Sequence, residues 1–270
     1  MEEKELLTLV IRAAVEAGEA ILSVYGSGEQ EVSYKSDLSP LTLADRRSNE
    51  VILRYLAGTE IPVISEESLQ VPWEVRRNWN ECWIVDPLDG TKEFLRRNGD
   101  FTVNIALVRQ GKPVLGVIFT PVTGELYFGT LKYGAYKLLL KEGWLQDHDH
   151  EMLFTASSRL PLPVREHPGY TVVASRSHMS AETTAFIQEV ERKFAPVRVV
   201  SRGSSLKICM VAEGAADVYP RFAPTMEWDT AAGHAIAKAA GYSLANPETG
   251  MELVYNKESL LNPWFLVQKT

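Results

Sequence analysis

The chain has 270 residues, 45% of them hydrophobic and 23% charged, which are the proportions of a folded globular protein and exclude the disordered and fibrous classes. Its 35 acidic and 28 basic residues leave a formal charge of −7, which argues against a general nucleic-acid surface. An anionic substrate would therefore need local cations, either metal ions or arginines. No apolar run approaches the roughly 20 residues of a membrane-spanning helix. The start MEEKELLTLV lacks the basic opening and apolar stretch of a secretory signal, so a cytoplasmic location is expected. Cys82 and Cys209 lie far apart beside apolar residues, as two buried thiols in a reducing compartment would.

Residues 4–25 carry Leu7, Val10, Ile11, Ala14, Val15, Gly18, Ile21 and Leu22 at helical spacing and predict an amphipathic first helix. The stretch GSGEQEVSYKSDLSP reads as a loop. A second helix is expected over 42–57, burying Leu43, Val51, Ile52, Tyr55 and Leu56. IPVIS and ECWIVD read as buried strands. FTVNIALV, PVLGVIF, GELYFGT and GAYKLLL, joined by short turns with Gly or Pro, predict an antiparallel meander. The polar, proline-bearing segment 145–169 is the expected linker. Beyond it, YTVVAS, a helix over 180–194, VRVV, SSLKICMVAEG, ADVYP and WDTAAGHAIAKAAG alternate as strand and helix. That rhythm predicts an α/β chain of two domains: 1–150, with an antiparallel sheet, and 151–270, with an α/β arrangement.

The chemistry is concentrated in WIVDPLDGTKEF, residues 83–94. An apolar strand ends at Asp86, and Asp89 follows three residues on. Pro87 stiffens the backbone, Gly90 allows close approach to a ligand, and the Gly90 and Thr91 amides could hold an anion if a helix starts there. Two close carboxylates repel unless a cation lies between them, and a hard divalent ion such as magnesium suits oxygen ligands. A plain solvated turn accounts for Pro and Gly but not for two acids leaving so apolar a strand.

Glu66 and Glu67 follow another strand end, though such a pair is commonly solvent-facing. Asp229 stands at a helix start, where the helix dipole alone would favour an acid. Asp45, three residues after Thr42, nearly completes a capping box. Taken together, these acids at element ends would suit a binuclear metal site. The motif also has a superficial likeness to the Asp-x-Asp-Gly-Thr of haloacid-dehalogenase-type phosphatases, in which an aspartate attacks phosphorus. Two residues rather than one separate the aspartates here, which favours carboxylates acting as metal ligands.

ISEES, WIVDPLDGTKEF and MEWDTAAGHA, in that order, resemble the lithium-sensitive, magnesium-dependent phosphatases of the inositol monophosphatase superfamily. DPLDGTKEFLRRNGDFTVNIAL, VASRSH, GSSLKICMVAEGAADVYPRF and PTMEWDTAAGHA are similar to its bacterial 3'(2'),5'-bisphosphate nucleotidase branch. The resemblance implies a layered α-β-α-β-α sandwich of the inositol monophosphatase / fructose-1,6-bisphosphatase type. Its site would hold two or three Mg2+ ions. Glu66, Asp86 and the Leu88 carbonyl would bind one, and Asp86, Asp89 and Asp229 a second. Asp45 with Thr91 would activate the attacking water, and Glu66 would belong to the catalytic set. Gly90 and Thr91 would hold the phosphate, while His178, Ser204, Lys207 and Arg221, beside Glu66, Leu88, Asp89 and Asp229, would line the substrate. The implied reaction is removal of the 3'-phosphate of 3'-phosphoadenosine 5'-phosphate, with inositol or sugar phosphates as the alternative substrates and a silent phosphate-binding protein as the alternative class. The expected partner is a small nucleotide bisphosphate, with no nucleic-acid polymer and no integral membrane segment. The expected state is a monomer or homodimer, free in the cytoplasm or peripheral at the inner membrane.

Overall fold

In a computed structural model of the chain the described residues are 1–27, 32–34, 40–141, 150–163, 169–174 and 180–270. They form two sheets and the helices that cover and separate them. Helices α1 (Glu3–Ser27) and α2 (Leu43–Leu56) pack together on the outside. The first sheet has seven strands in sequence order. These are β3 (Val63–Ser65), β4 (Glu81–Asp89), β5 (Thr102–Arg109), β6 (Lys112–Thr120), β7 (Glu125–Thr130), β8 (Gly134–Leu139) and β9 (Ser158–Arg159). Only the β3–β4 pairing is parallel; from β4 onward the strands form the expected antiparallel meander. A short hairpin of β1 (Val32–Tyr34) and β2 (Pro40–Thr42) precedes α2, and α3 (Trp73–Arg76) and α4 (Thr91–Leu95) flank β4.

The second sheet has the order β11-β10-β12-β14-β13. It contains β10 (Tyr170–Ala174), β11 (Val197–Ser201), β12 (Val218–Arg221), β13 (Tyr242–Ala245) and β14 (Phe265–Lys269). Helices α7 (Leu206–Ala212) and α8 (Glu227–Ala239) lie between the sheets, and α6 (Ala181–Lys193) covers the far side.

The cores follow from strand alternation, since successive side chains of a strand point to opposite faces. On β4 and β5, Trp83, Val85, Val103, Ile105 and Leu107 join α1 and α2 in one core. Their neighbours Cys82, Ile84, Ala106 and Val108 join α7, α8 and the second sheet in another. On β10, Val173 faces that middle core and Val172 faces α6. The result is the expected α-β-α-β-α layering. Small residues on α8, among them Ala231, Ala232 and Ala235, let that helix come close to the first sheet. A Cβ added to Gly116 of β6 would lie 2.2 Å from the Ala232 carbonyl oxygen of α8, so helix and sheet backbones come into near contact there.

Two expectations change. Part of the expected linker, 145–169, is ordered: it contains helix α5 (His150–Ala156) and strand β9, which pairs back onto β8. The last thirty residues, for which no element was expected, supply β13 and β14. Of these, β14 sits inside the second sheet between β12 and β13. The two cysteines are free and buried, as the sequence suggested.

Candidate active site

Strand β4 delivers the first carboxylates. Asp86 pairs across with Asn104 and Asp89 with Thr102, so three residues of β4 are taken up against two of β5. This is a bulge, one extra residue on one strand of an antiparallel pair. Residues three apart on a regular strand face opposite ways. The bulge instead returns Asp86 and Asp89 to the face of Thr102 and Asn104, toward α7 and α8. It also lets Leu88 bury its side chain in the outer core. The extra residue that separates this motif from Asp-x-Asp-Gly-Thr would by itself turn the aspartates to opposite faces, and the bulge that absorbs it turns them the same way.

Asp86 is 1% exposed, and its Oδ1 accepts the Leu88 amide at 3.1 Å. Burial drives its carboxyl well above the usual range, and the charges of Glu66, Asp89, Asp229 and Asp45 push it the same way. Glu66 reaches this set because β3 runs parallel beside β4, and its amide donates to the Val85 carbonyl at 3.2 Å.

Asp45 stands in the first turn of α2 and completes a capping box with Thr42. Its Oδ2 accepts from the Thr42 amide at 2.7 Å and the Thr42 hydroxyl at 2.5 Å. Its Oδ1 is 3.3 Å from the Thr91 hydroxyl. Ser48, one turn further along α2, donates to the Pro87 carbonyl at 2.6 Å and ties the helix to the bulge. Asp229 behaves in the same way in the first turn of α8. Its Oδ2 accepts the Met226 amide at 2.9 Å. Burial, then the neighbouring Asp89, raises its carboxyl to about 8. Capping and a functional role are therefore compatible, since one oxygen holds the helix start and so orients the other.

These carboxylates face one another without closing up. Among the described residues no group of three His, Cys, Asp or Glu side chains is drawn together tightly enough to hold a metal ion as it stands. One oxygen each of Asp45, Asp86 and Asp229 is already committed to a backbone amide. The donor set nevertheless suits a hard cation: it is all oxygen, and the ionised carboxylates cannot share this volume without positive charge among them.

Next to the acids lies a cleft bordered by Gly90, Ser204, Lys207, Tyr219 and Arg221, together with Asp89 and Asp229. Gly90 has φ +94°, and an added Cβ would crowd the Asp100 carbonyl and Ser204 at 3.3 Å. Ser204 donates to the Asp100 carbonyl at 2.9 Å. Lys207 is 6% exposed and donates to the carbonyls of Ser204 at 2.6 Å and Arg202 at 3.4 Å, with its ammonium 5.6 Å from the Tyr219 ring centroid. Burial lowers its pKa to about 8. Arg221 donates to the Pro224 carbonyl at 3.0 Å, while its buried Nε has no hydrogen-bond partner among the described residues. His178 lies outside the described residues.

The structure thus brings Asp45, Glu66, Asp86, Leu88, Asp89, Gly90, Thr91, Ser204, Lys207, Arg221 and Asp229 into one region. It adds residues that the sequence reading did not single out. Arg202 and Lys92 also line the cleft, and Arg202 pairs with Asp100 at 3.1 Å. Asn104, Thr102 and Ser205 lie behind Asp89. The signal for Asn104 was present, as a lone amide within the apolar run FTVNIALV.

Two sheets interleaved with helices, with acids gathered at the bulged end of one strand, define a layered α/β protein of the phosphatase type. The chain belongs to the inositol monophosphatase family, whose profile matches residues 2–266. A Salmonella typhimurium protein named 3'(2'),5'-bisphosphate nucleotidase CysQ is 45% identical over 268 residues, 97% of this chain and 99% of that protein. The protein of the same name from Escherichia coli K12 is 43% identical over the same shares of the two chains. The crystal structure of CysQ from Bacteroides thetaiotaomicron, 49% identical, superposes with a TM-score of 0.89 over 99% of this chain and 98% of that one. The Thermotoga maritima IMPase, at 22% identity and a TM-score of 0.71 over 98% and 92%, shares the fold.

Proposed function

We propose that this chain is a 3'(2'),5'-bisphosphate nucleotidase that removes the 3'-phosphate of 3'-phosphoadenosine 5'-phosphate and leaves AMP and phosphate. The observation that carries this is the 43–45% identity to nucleotidases of that name over 97% of the chain. The carboxylate-lined, partly cationic cleft supports it, because an anionic substrate in an acidic protein needs such a lining.

In this reading Glu66, Asp86, Asp89, Asp229 and the Leu88 carbonyl hold two or three magnesium ions. When bound, these supply positive charge against the phosphate oxygens and acidify a water. The chain's own groups do the rest. Asp45 Oδ2 is held by Thr42, so Oδ1, beside the Thr91 hydroxyl, is the atom that takes a proton from the attacking water. The Gly90 and Thr91 amides orient the phosphate. Lys207 and Arg221, with Ser204 and His178, hold the nucleotide and its second phosphate. The unpartnered Nε of Arg221 supports an anion contact there. The two sheets support the division into domains near residue 150, although β9 extends the first sheet to Arg159. The enzyme acts on a small molecule as a monomer or homodimer in the cytoplasm, free or peripheral at a membrane. Among the described residues no helix is long and apolar enough to cross one.

Phosphate release from 3'-phosphoadenosine 5'-phosphate and from inositol 1-phosphate, each with and without magnesium, tests the proposal. Magnesium-dependent release that favours the nucleotide is expected. Preference for inositol 1-phosphate would assign the chain to the sister activity.

A further inference from the structure

Behind Asp89 lies a chain of buried polar groups that the reaction as described does not use. Thr102, Asn104 and Ser205 are 0%, 1% and 4% exposed. The Thr102 hydroxyl donates to Asn104 Oδ1 at 2.9 Å, which fixes the direction of the amide. Asn104 Nδ2 then donates to Ser205 Oγ at 2.8 Å and approaches Asp89 Oδ2 at 3.3 Å. Ser205 Oγ lies 2.7 Å from Asp89 Oδ2 and 2.9 Å from the main-chain oxygen of Asp229.

A serine hydroxyl has one proton and can accept as well. Here it accepts from Asn104 and shares its proton between two acceptors, one on each of the elements that carry Asp89 and Asp229. Ser205 also stands just before α7, between the sheets, whereas Thr102 and Asn104 belong to β5 of the first sheet. The network therefore joins the end of β4, the neighbouring strand β5 and the two inter-sheet helices at a single oxygen. Buried hydroxyls and amides are unfavourable unless they are paired, and this set finds its pairs by converging on one carboxylate.

We propose that Ser205, aimed by Asn104 and Thr102, is a positioning residue that sets the Asp89 carboxylate and its spacing from Asp229 to receive a divalent cation. This rests on the reading of Asp89 and Asp229 as cation ligands. Hydrogen-bond partners of ligand groups commonly change metal affinity 10- to 100-fold, roughly, when they are removed.

Calorimetric titration of magnesium into nucleotide-free wild type, Ser205→Ala, Ser205→Thr and Thr102→Val, with melting curves in EDTA, tests it. Ser205→Ala is expected to bind magnesium about tenfold more weakly or worse. Ser205→Thr, which keeps the hydroxyl, should return the affinity, and Thr102→Val should fall between. In turnover, the magnesium concentration for half-maximal rate should move more than kcat. A Ser205→Ala protein that melts lower but binds magnesium like wild type would overturn the positioning role and leave the ligand reading intact. Wild type that takes up no magnesium would overturn the ligand reading itself. If Ser205→Ala does not fold, Thr102→Val carries the comparison, and unchanged affinity in that variant counts against the proposal.

Discussion

The Thr91 hydroxyl lies 3.3 Å from Asp45 Oδ1, which joins the first turn of α4 to the first turn of α2. Because the capping box occupies the other Asp45 oxygen, Asp45→Asn should leave much of the helix start in place while removing a proton acceptor. Turnover should fall by about 10²–10⁴-fold, the usual contribution of a positioned base. Stability should change by no more than about 1 kcal/mol, the scale of a lost cap. Steady-state kinetics beside a denaturant melt would check both. Near-normal turnover would remove Asp45 from the reaction.

Stability without cations should depend on pH through the acid set. The Asp229 carboxyl is held up near 8 by burial and by Asp89. Between its ordinary range and about 8 the folded chain therefore keeps a proton that the unfolded chain has released. Stability is fully present below the ordinary carboxylate range and is lost as pH rises toward 8. The slope from this group is at most about 1.4 kcal/mol per pH unit. Urea melts in EDTA from pH 5 to 8 should show wild type weakening relative to Asp229→Asn, and added magnesium should reverse the loss only in wild type. Parallel curves for the two proteins would contradict the repulsion described.

Lys207 is expected to matter more for a bisphosphate nucleotide than for inositol 1-phosphate, which lacks the second phosphate. Lys207→Met keeps most of the buried volume and removes the charge. Nucleotide binding should weaken by about 1.5–3 kcal/mol, the scale of a hydrogen bond to a charged group. Because burial lowers this ammonium to about 8, wild-type affinity should fall as pH passes that value and the variant should not follow. Equal losses for both substrates would restrict Lys207 to holding the Arg202 and Ser204 carbonyls.

Gly116 sets how near α8 comes to the first sheet. Gly116→Ala places a methyl group 2.2 Å from the Ala232 carbonyl oxygen, so the helix must shift. A loss of about 1–3 kcal/mol is expected, as for other overpacked cores. Magnesium affinity should fall with it, because Asp229 rides on that helix. A stable variant with normal magnesium binding would show that the helix can yield without moving the site.

Much of this was readable from the residues alone. Helical spacing in α1, the apolar runs of the meander and the acids of DPLDGT are local patterns. A local pattern reports which face of an element is apolar and where the element stops. It predicted helices over 4–25 and 42–57, close to α1 and α2, and it placed the acids at element ends. Tertiary structure decided the rest. Two aspartates three apart point the same way only because β4 bulges against β5, a pairing between segments that no spacing within β4 encodes. The role of Ser205 depends on a helix start meeting a strand from the other sheet. Strand β14 is recognised only when β12 and β13 flank it. Periodicity is a property of one segment, whereas register, capping across elements and shared hydroxyls are properties of two or more, settled when the whole core packs.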